Sequence, residues 1–211
     1  MVVKKPKSRK MSKDNIDLLF SQGLDIEGRA IWLGNAIQDE TEESGIDHNL
    51  MERFVRSLSI LNKGANKSLI TVYLCSSGGS ELAGAGIFDA IRASKSPVDI
   101  IVIGKCMSMA VVILQAARTR IMMNNSILMT HIGSMSESGH KTDVKRWVDF
   151  YTKKFDPRLD DLVYSRVRAS NPSMSRAAYD KLNEFDTILT ADEAVDMGFA
   201  DRLFDPKKDK L

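Results

Sequence analysis

Two apolar runs separated by a serine constrain this chain more than any other stretch. Val98-Asp99-Ile100-Ile101-Val102-Ile103 is short and β-branched, the pattern of a buried strand. Met109 through Ala117 is apolar at almost every position, too uniform for a surface helix, and predicts a buried one. Between them stand Gly104-Lys105-Cys106-Met107-Ser108. A serine on a turn from buried strand to buried helix has its hydroxyl lifted from the sheet, beside the unpaired N–H groups of a helix start. Cys106 and Ala110, two positions either side, are small enough for a sharp elbow. Serine is also a preferred helix N-cap. This stretch alone leaves nucleophile and cap both open.

The pattern repeats along the chain. Ala30-Ile31-Trp32-Leu33, Leu69 to Leu74, Ile121 to Met123 and Ile127 to Thr130 all read as strands. Helical stripes lie between several of them, one of them Leu50, Met51, Phe54, Val55, Leu58 and Leu61 after a capping Asp47. Strand and helix in alternation predict an α/β fold with largely parallel pairing. At 211 residues one domain is expected. A net charge of +2 gives no bulk attraction to nucleic acid, and no apolar run reaches membrane-spanning length. Cys75 and Cys106 lack metal-site spacing and read as reduced thiols of a cytoplasmic protein.

Two further features bear on the serine. Ser76-Ser77-Gly78-Gly79-Ser80 follows a strand and opens a helix, so its glycines expose backbone N–H groups, although a plain tight turn explains such a pair equally well. His131 follows a strand, the end at which α/β sheets place their sites. His48, at a polar helix start, and His140, in a Gly/Ser-rich loop, are poorer bases. A serine nucleophile needs a base, and the base an orienting group. For the latter, Asp180, Glu184, Asp186 and Asp192 all remain open.

Taken in order, Val72 to Gly79, Ala83-Gly84, Gly104 to Ala110, Met129-Thr130-His131, Asp186 to Ala194 and Gly198 to Asp201 resemble the ClpP family, the proteolytic subunits of ATP-dependent Clp proteases. The resemblance runs from about Arg29 to Leu203. It implies a crotonase/ClpP-like repeated ββα spiral with a protruding helical handle, and a serine endopeptidase of unfolded polypeptides that needs no cofactor or metal. Carried over by position, Ser108 is the nucleophile, His131 the base and Asp186 the orienting carboxylate. Gly79 and Met109 donate the oxyanion-hole N–H groups. It further implies a homo-oligomer of seven-membered rings, stacked as a tetradecamer through the handle, and an AAA+ unfoldase ATPase docking at a pocket that includes Tyr73. Neither membrane nor nucleic acid is an expected partner. A non-proteolytic ring subunit, or a crotonase-type thioester-binding protein, is the competing reading; neither needs all three of Ser108, His131 and Asp186.

The domain plan that follows is a basic arm over 1–24, a peptidase domain over 25–204 and a frayed tail over 205–211. The chain also departs from the family pattern. Ser77 stands where the family has proline, and Ile132-Gly133 replaces the Gln-Pro after the histidine, along the edge where a substrate strand would lie. Asp156-Pro157 is expected to interrupt the handle, with Asp156 capping a restarted helix.

Overall fold

A computed structural model describes residues 11–34, 45–133 and 138–209. Its centre is a mixed sheet in the order β1-β2-β3-β4-β5-β8. These strands are β1 (Leu24–Asp25), β2 (Ala30–Leu33), β3 (Ile70–Ser76), β4 (Val98–Met107), β5 (Arg120–Met122) and β8 (Arg202–Leu203). β2, β3, β4, β5 and β8 pair in parallel, and β1 is antiparallel to β2. The long β4 serves two neighbours. Its first half pairs with β5, and its second half, Lys105 to Met107, pairs in parallel with β6 (Ile127–Thr130). β6 then takes β7 (Thr187–Thr190) as an antiparallel partner.

Helices α2 (His48–Leu61), α3 (Glu81–Arg92) and α4 (Met109–Leu114) bury their apolar faces in one core with β3 and β4. Phe54, Ile87 and Ile113 are at most 1% exposed there, so each contributes the ~1.5–3 kcal/mol typical of a buried aliphatic or aromatic side chain. A smaller cluster of Ala30, Tyr73, Ile101 and Ile121 lies apart from that core. The α/β class is as expected, although the apolar run over 109–117 forms helix only to Leu114. Ala116 and Ala117 stay buried beyond it.

Three expectations are corrected. The arm drawn over residues 1–24 contains a ten-residue helix, α1 (Lys13–Gln22), begun by Ser12 and closed by Gly23 at φ 67°. The buried Asn15 ties it down, accepting from the Ile26 N–H at 2.7 Å and donating to Asp25 Oδ1 at 2.8 Å. The basic residues Lys4 to Lys10, and the acidic stretch around Asp39 to Glu43, lie outside the described residues. Second, the tail is not frayed as far as Asp209. Both carboxylate oxygens of Asp209 accept from Arg202 at 2.6 Å, a forked pair that folds 205–209 back.

Third, the handle is not broken at Asp156. Helix α5 (Lys141–Phe150) passes through a π-helical turn, Tyr151–Phe155, into α6 (Asp156–Ser170). Asp156 is the first residue of α6, not its cap. Pro157 has no N–H for the α-helical ladder, and the wider π turn just before it keeps the helix continuous. α5 buries no residue against this chain, and its apolar side chains Trp147, Val148 and Phe150 stay exposed. The path to the C-terminus runs through α7 (Arg176–Asn183), β7 and α8 (Ala191–Asp196), whose start is a capping box between Thr190 and Glu193. No helix among the described residues is long and apolar enough to cross a membrane.

Candidate active site

β4 delivers its chain directly to Ser108. That residue sits at φ 52°, ψ −123°, and shares positive φ with only one other non-glycine among the described residues, Arg29. Such a conformation costs about 1–3 kcal/mol and persists only where the surroundings enforce it. Here they do: the Ser108 N–H donates to the Met129 carbonyl at 2.9 Å, and the Ser108 carbonyl accepts from Val111 at 2.8 Å. Its side chain makes no capping hydrogen bond to α4, so the cap reading does not hold. The hydroxyl is directed elsewhere.

It donates to His131 Nε2 at 2.8 Å. The register explains why. Met107 is paired with Met129 across β4 and β6, so the residues that follow each strand emerge side by side. On the other flank, Thr130 is paired with Thr187 across β6 and β7, which places Asp186 next to His131. His131 Nδ1 lies 3.0 Å from Asp186 Oδ1. A carboxylate only accepts, so Nδ1 carries the proton and Nε2 is left with its lone pair toward Ser108. His131 is largely enclosed, at 18% side-chain exposure, whereas Asp186 is 70% exposed. Among the other carboxylates open from sequence, Asp180 is held by Arg176 at 2.6 Å, Glu184 closes α7 and Asp192 lies in the first turn of α8. His48 opens α2 and His140 precedes α5.

Asn183 gives no hint of its place in the sequence. Buried at the end of α7, it accepts from the Thr130 hydroxyl, its carbonyl accepts from the Ile132 N–H at 2.7 Å, and its amide donates to the Tyr179 carbonyl at 3.0 Å. It therefore clamps the chain on both sides of His131. Its only sequence signal is an amide in the last turn of a short helix, too common to single out.

The glycine pair closes the site from α3's side. The Gly78 carbonyl accepts from Ile46 at 2.6 Å, and the Ile46 carbonyl accepts from Ser80 at 2.7 Å. In a trans peptide the C=O and N–H point opposite ways, so the Gly79 N–H is directed away from Ile46. A β-carbon on Gly78 would lie 2.7 Å from Ser108 Cβ and 3.1 Å from the Met109 nitrogen. One on Gly79 would lie 2.5 Å from the Ile46 backbone. Both positions also have positive φ, so only glycine fits. The turn lacks the family's proline, but Ser76 Oγ accepts from the Gly78 N–H at 3.1 Å and braces it instead. Gly78→Ala is therefore expected to push Ser108 off its bond to His131 and lose more than about 90% of turnover, while Gly64→Ala, at an open turn, leaves it intact. Parallel turnover assays on the two variants decide it.

Cys106, two residues before Ser108, is fully buried, and burial pushes its thiol pKa far up, so it is no rival nucleophile. Tyr73 lies away from the serine, in a groove lined by Leu19, Phe20, Trp32, Cys75 and Ile103. Two of those side chains, Leu19 and Phe20, come from α1, inside the stretch expected to be an arm.

Comparisons with known proteins bear on the family. The Clp protease family profile matches residues 29–207. The ATP-dependent Clp protease proteolytic subunit of Deinococcus radiodurans is 26% identical over 186 residues, spanning 87% of this chain and 84% of that protein. The ATP-dependent Clp protease proteolytic subunit 2 of Bifidobacterium longum is 27% identical over 190 residues, spanning 89% and 84%. Among solved structures, a ClpP1 mutant from Listeria monocytogenes superposes with a TM-score of 0.71 at 21% identity, covering 86% of this chain and 94% of that one, a likeness of fold. With the family match running from β2 past β8, and so across every element that shapes the site, the chain belongs to the Clp protease family.

Proposed function

We propose that this peptidase is a serine endopeptidase, the proteolytic subunit of an ATP-dependent Clp-type protease, with Ser108, His131 and Asp186 as its triad. One observation carries the reading: an unbroken hydrogen-bonded line from Ser108 Oγ through the His131 ring to Asp186. A thioester-binding relative or an idle ring subunit has no use for that line.

In the reaction, His131 Nε2 takes the Ser108 proton as Oγ bonds to the peptide carbonyl carbon. The carbonyl oxygen becomes an oxyanion, held by the Gly79 and Met109 N–H groups. The tetrahedral carbon collapses, its C–N bond breaks, and the departing amine leaves with the proton from Nε2. Water repeats the sequence on the ester: His131 takes its proton, the C–O bond to Ser108 breaks, and the hydroxyl is restored. Asp186 keeps the ring in the tautomer both halves need.

Assembly follows the family. The exposed apolar side chains of α5, Trp147 and Phe150 among them, suit a contact between rings, and the groove at Tyr73 suits an unfoldase ATPase delivering unfolded chains to a cytoplasmic, ring-shaped chamber. Treatment with a serine-directed fluorophosphonate followed by intact mass measurement tests the chemistry. One adduct is expected on the wild type and none on His131→Ala; an unmodified wild type, free or with a candidate ATPase, would overturn the reading. Asp186→Asn keeps an acceptor for Nδ1–H but loses the charge. Because Asp186 is well exposed, water screens much of that charge, and turnover is expected to fall about 100-fold, less than for a buried triad aspartate. Steady-state kinetics measures the drop.

A further inference from the structure

We infer that Asn183 is a positioning residue for the base: with Thr130 it locks the backbone on both sides of His131, and so sets the distance from the imidazole to the Ser108 hydroxyl. The inference rests on the serine peptidase reading and names a residue outside the triad on which its rate depends. The need for a lock follows from where His131 stands. Thr130 and Thr187 form the last paired row of β6 and β7, so the base lies one residue beyond the ladder. Nor does the far side of the ring secure it. Asp186, 3.0 Å from Nδ1, is 70% exposed, and water competes for an exposed carboxylate. The Ile132 side chain is exposed too, so packing does not hold the chain just after the base.

Asn183 supplies what the ladder no longer does. Its backbone carbonyl accepts from the Ile132 N–H at 2.7 Å, and its side-chain Oδ1 accepts from the Thr130 hydroxyl. The roles within the amide are fixed by chemistry. The Tyr179 carbonyl only accepts, so the atom 3.0 Å from it is Nδ2; Oδ1 is then turned to Thr130, whose hydroxyl must donate. Neither a carboxylate nor an apolar side chain makes both bonds. Successive side chains of extended backbone point opposite ways, so the buried Thr130 faces away from the His131 ring. Asn183 therefore grips from behind the site and does not touch the reacting atoms. The post it stands on is rigid. Tyr179, one turn back on α7, is buried against Tyr164 and Phe199, with ring centroids 5.3 and 6.2 Å away. The Arg176 guanidinium lies over the Tyr164 and Tyr179 rings and pairs with Asp160 and Asp161, tying the start of α7 to α6.

The test measures turnover of a fluorogenic peptide by the full chain, per competent site, with sites counted from the fraction that takes up a serine-directed fluorophosphonate. Misplacing a reacting group by about 1 Å costs on the order of 100-fold in rate. Asn183→Leu removes the acceptor and Thr130→Val the donor. Each is expected to lower kcat per labelled site about 10- to 100-fold, with KM within about twofold. Thr130→Val is nearly isosteric and decides the matter should Asn183→Leu not fold. Thr130→Ser keeps the donor and should stay within about threefold of the wild type. The double variant should be no slower than the slower single, since both act on one bond. It also leaves no orphaned partner, so its melting temperature should recover part of what the singles lose while its kcat stays low. A purely structural role would instead reduce the fraction labelled and leave kcat per labelled site unchanged. That result, or a double variant whose rate recovers together with its melt, would overturn the lock and leave the triad standing. A wild type that takes up no fluorophosphonate would overturn both.

Discussion

Replacing Ser108 with alanine is expected to lower peptide hydrolysis by about four to six orders of magnitude, with the fold kept. The loss is this large because the hydroxyl is the atom that bonds to the substrate, and nothing nearby replaces it. Cys106 is buried and its thiol held protonated. The fold survives for equally local reasons. Ser108 already carries a β-carbon at φ 52°, so alanine adds no strain, and the backbone bonds to Met129 and Val111 remain. The side chain caps nothing, so only its bond to His131 is lost, about 1 kcal/mol or less. Hydrolysis of a fluorogenic peptide, set beside a thermal melt of the same sample, separates the two effects. A variant that cleaves at the wild-type rate would end the mechanism.

How far the sequence carried depends on whether local chemistry or distant pairing decides each residue. The buried strand before Ser108 and the apolar helix after it are local, and their patterning was readable. Whether Ser108 caps or attacks was not, because a cap and an elbow use the same residue type. The answer came from φ and from the β4–β6 register. Likewise four carboxylates were equivalent from sequence alone. Asp186 is separated from His131 by 55 positions and reaches it through antiparallel pairing of β6 with β7. α1 was hidden by the lysine-rich stretch before it, because its anchor is tertiary: one buried amide, Asn15, reaching Asp25 and Ile26. The handle's helical stretch was legible, while periodicity left open whether it faces this chain's core or another subunit, and α5 buries no residue here.

The second large effect is structural, and it reaches the site through α4. Arg120 is fully buried, at 0% side-chain exposure, and is bound to Asp201, which is 29% exposed. The same guanidinium donates to the Gln115 side chain and to the Gly198 carbonyl, and Gln115 closes α4 while also donating to the Phe199 carbonyl at 3.2 Å. One cation thus ties β5, the turn after α8 and the end of the helix that begins at Ser108. Asp201→Ala is expected to cost about 3–5 kcal/mol, because it leaves that cation buried and unpaired. Removing both partners, as Arg120→Met with Asp201→Leu, should recover only part of this. It abolishes the orphaned charge but leaves the Gln115 side chain and the Gly198 carbonyl without their donor, at about 1 kcal/mol or more each. The pH dependence has a definite sign. Burial alone would raise Asp201, but hydrogen bonds and charge from Arg120, with Arg166 behind, hold its carboxyl below the ordinary range. A depressed carboxylate stabilises the fold fully above its unfolded pKa of about 4, and that stabilisation is lost as pH falls through the lower folded value. Urea unfolding of wild type and Asp201→Ala should therefore differ most near neutrality and converge in acid. A difference under about 1 kcal/mol at neutral pH would mean that α4 is held by apolar packing alone, without this ion pair.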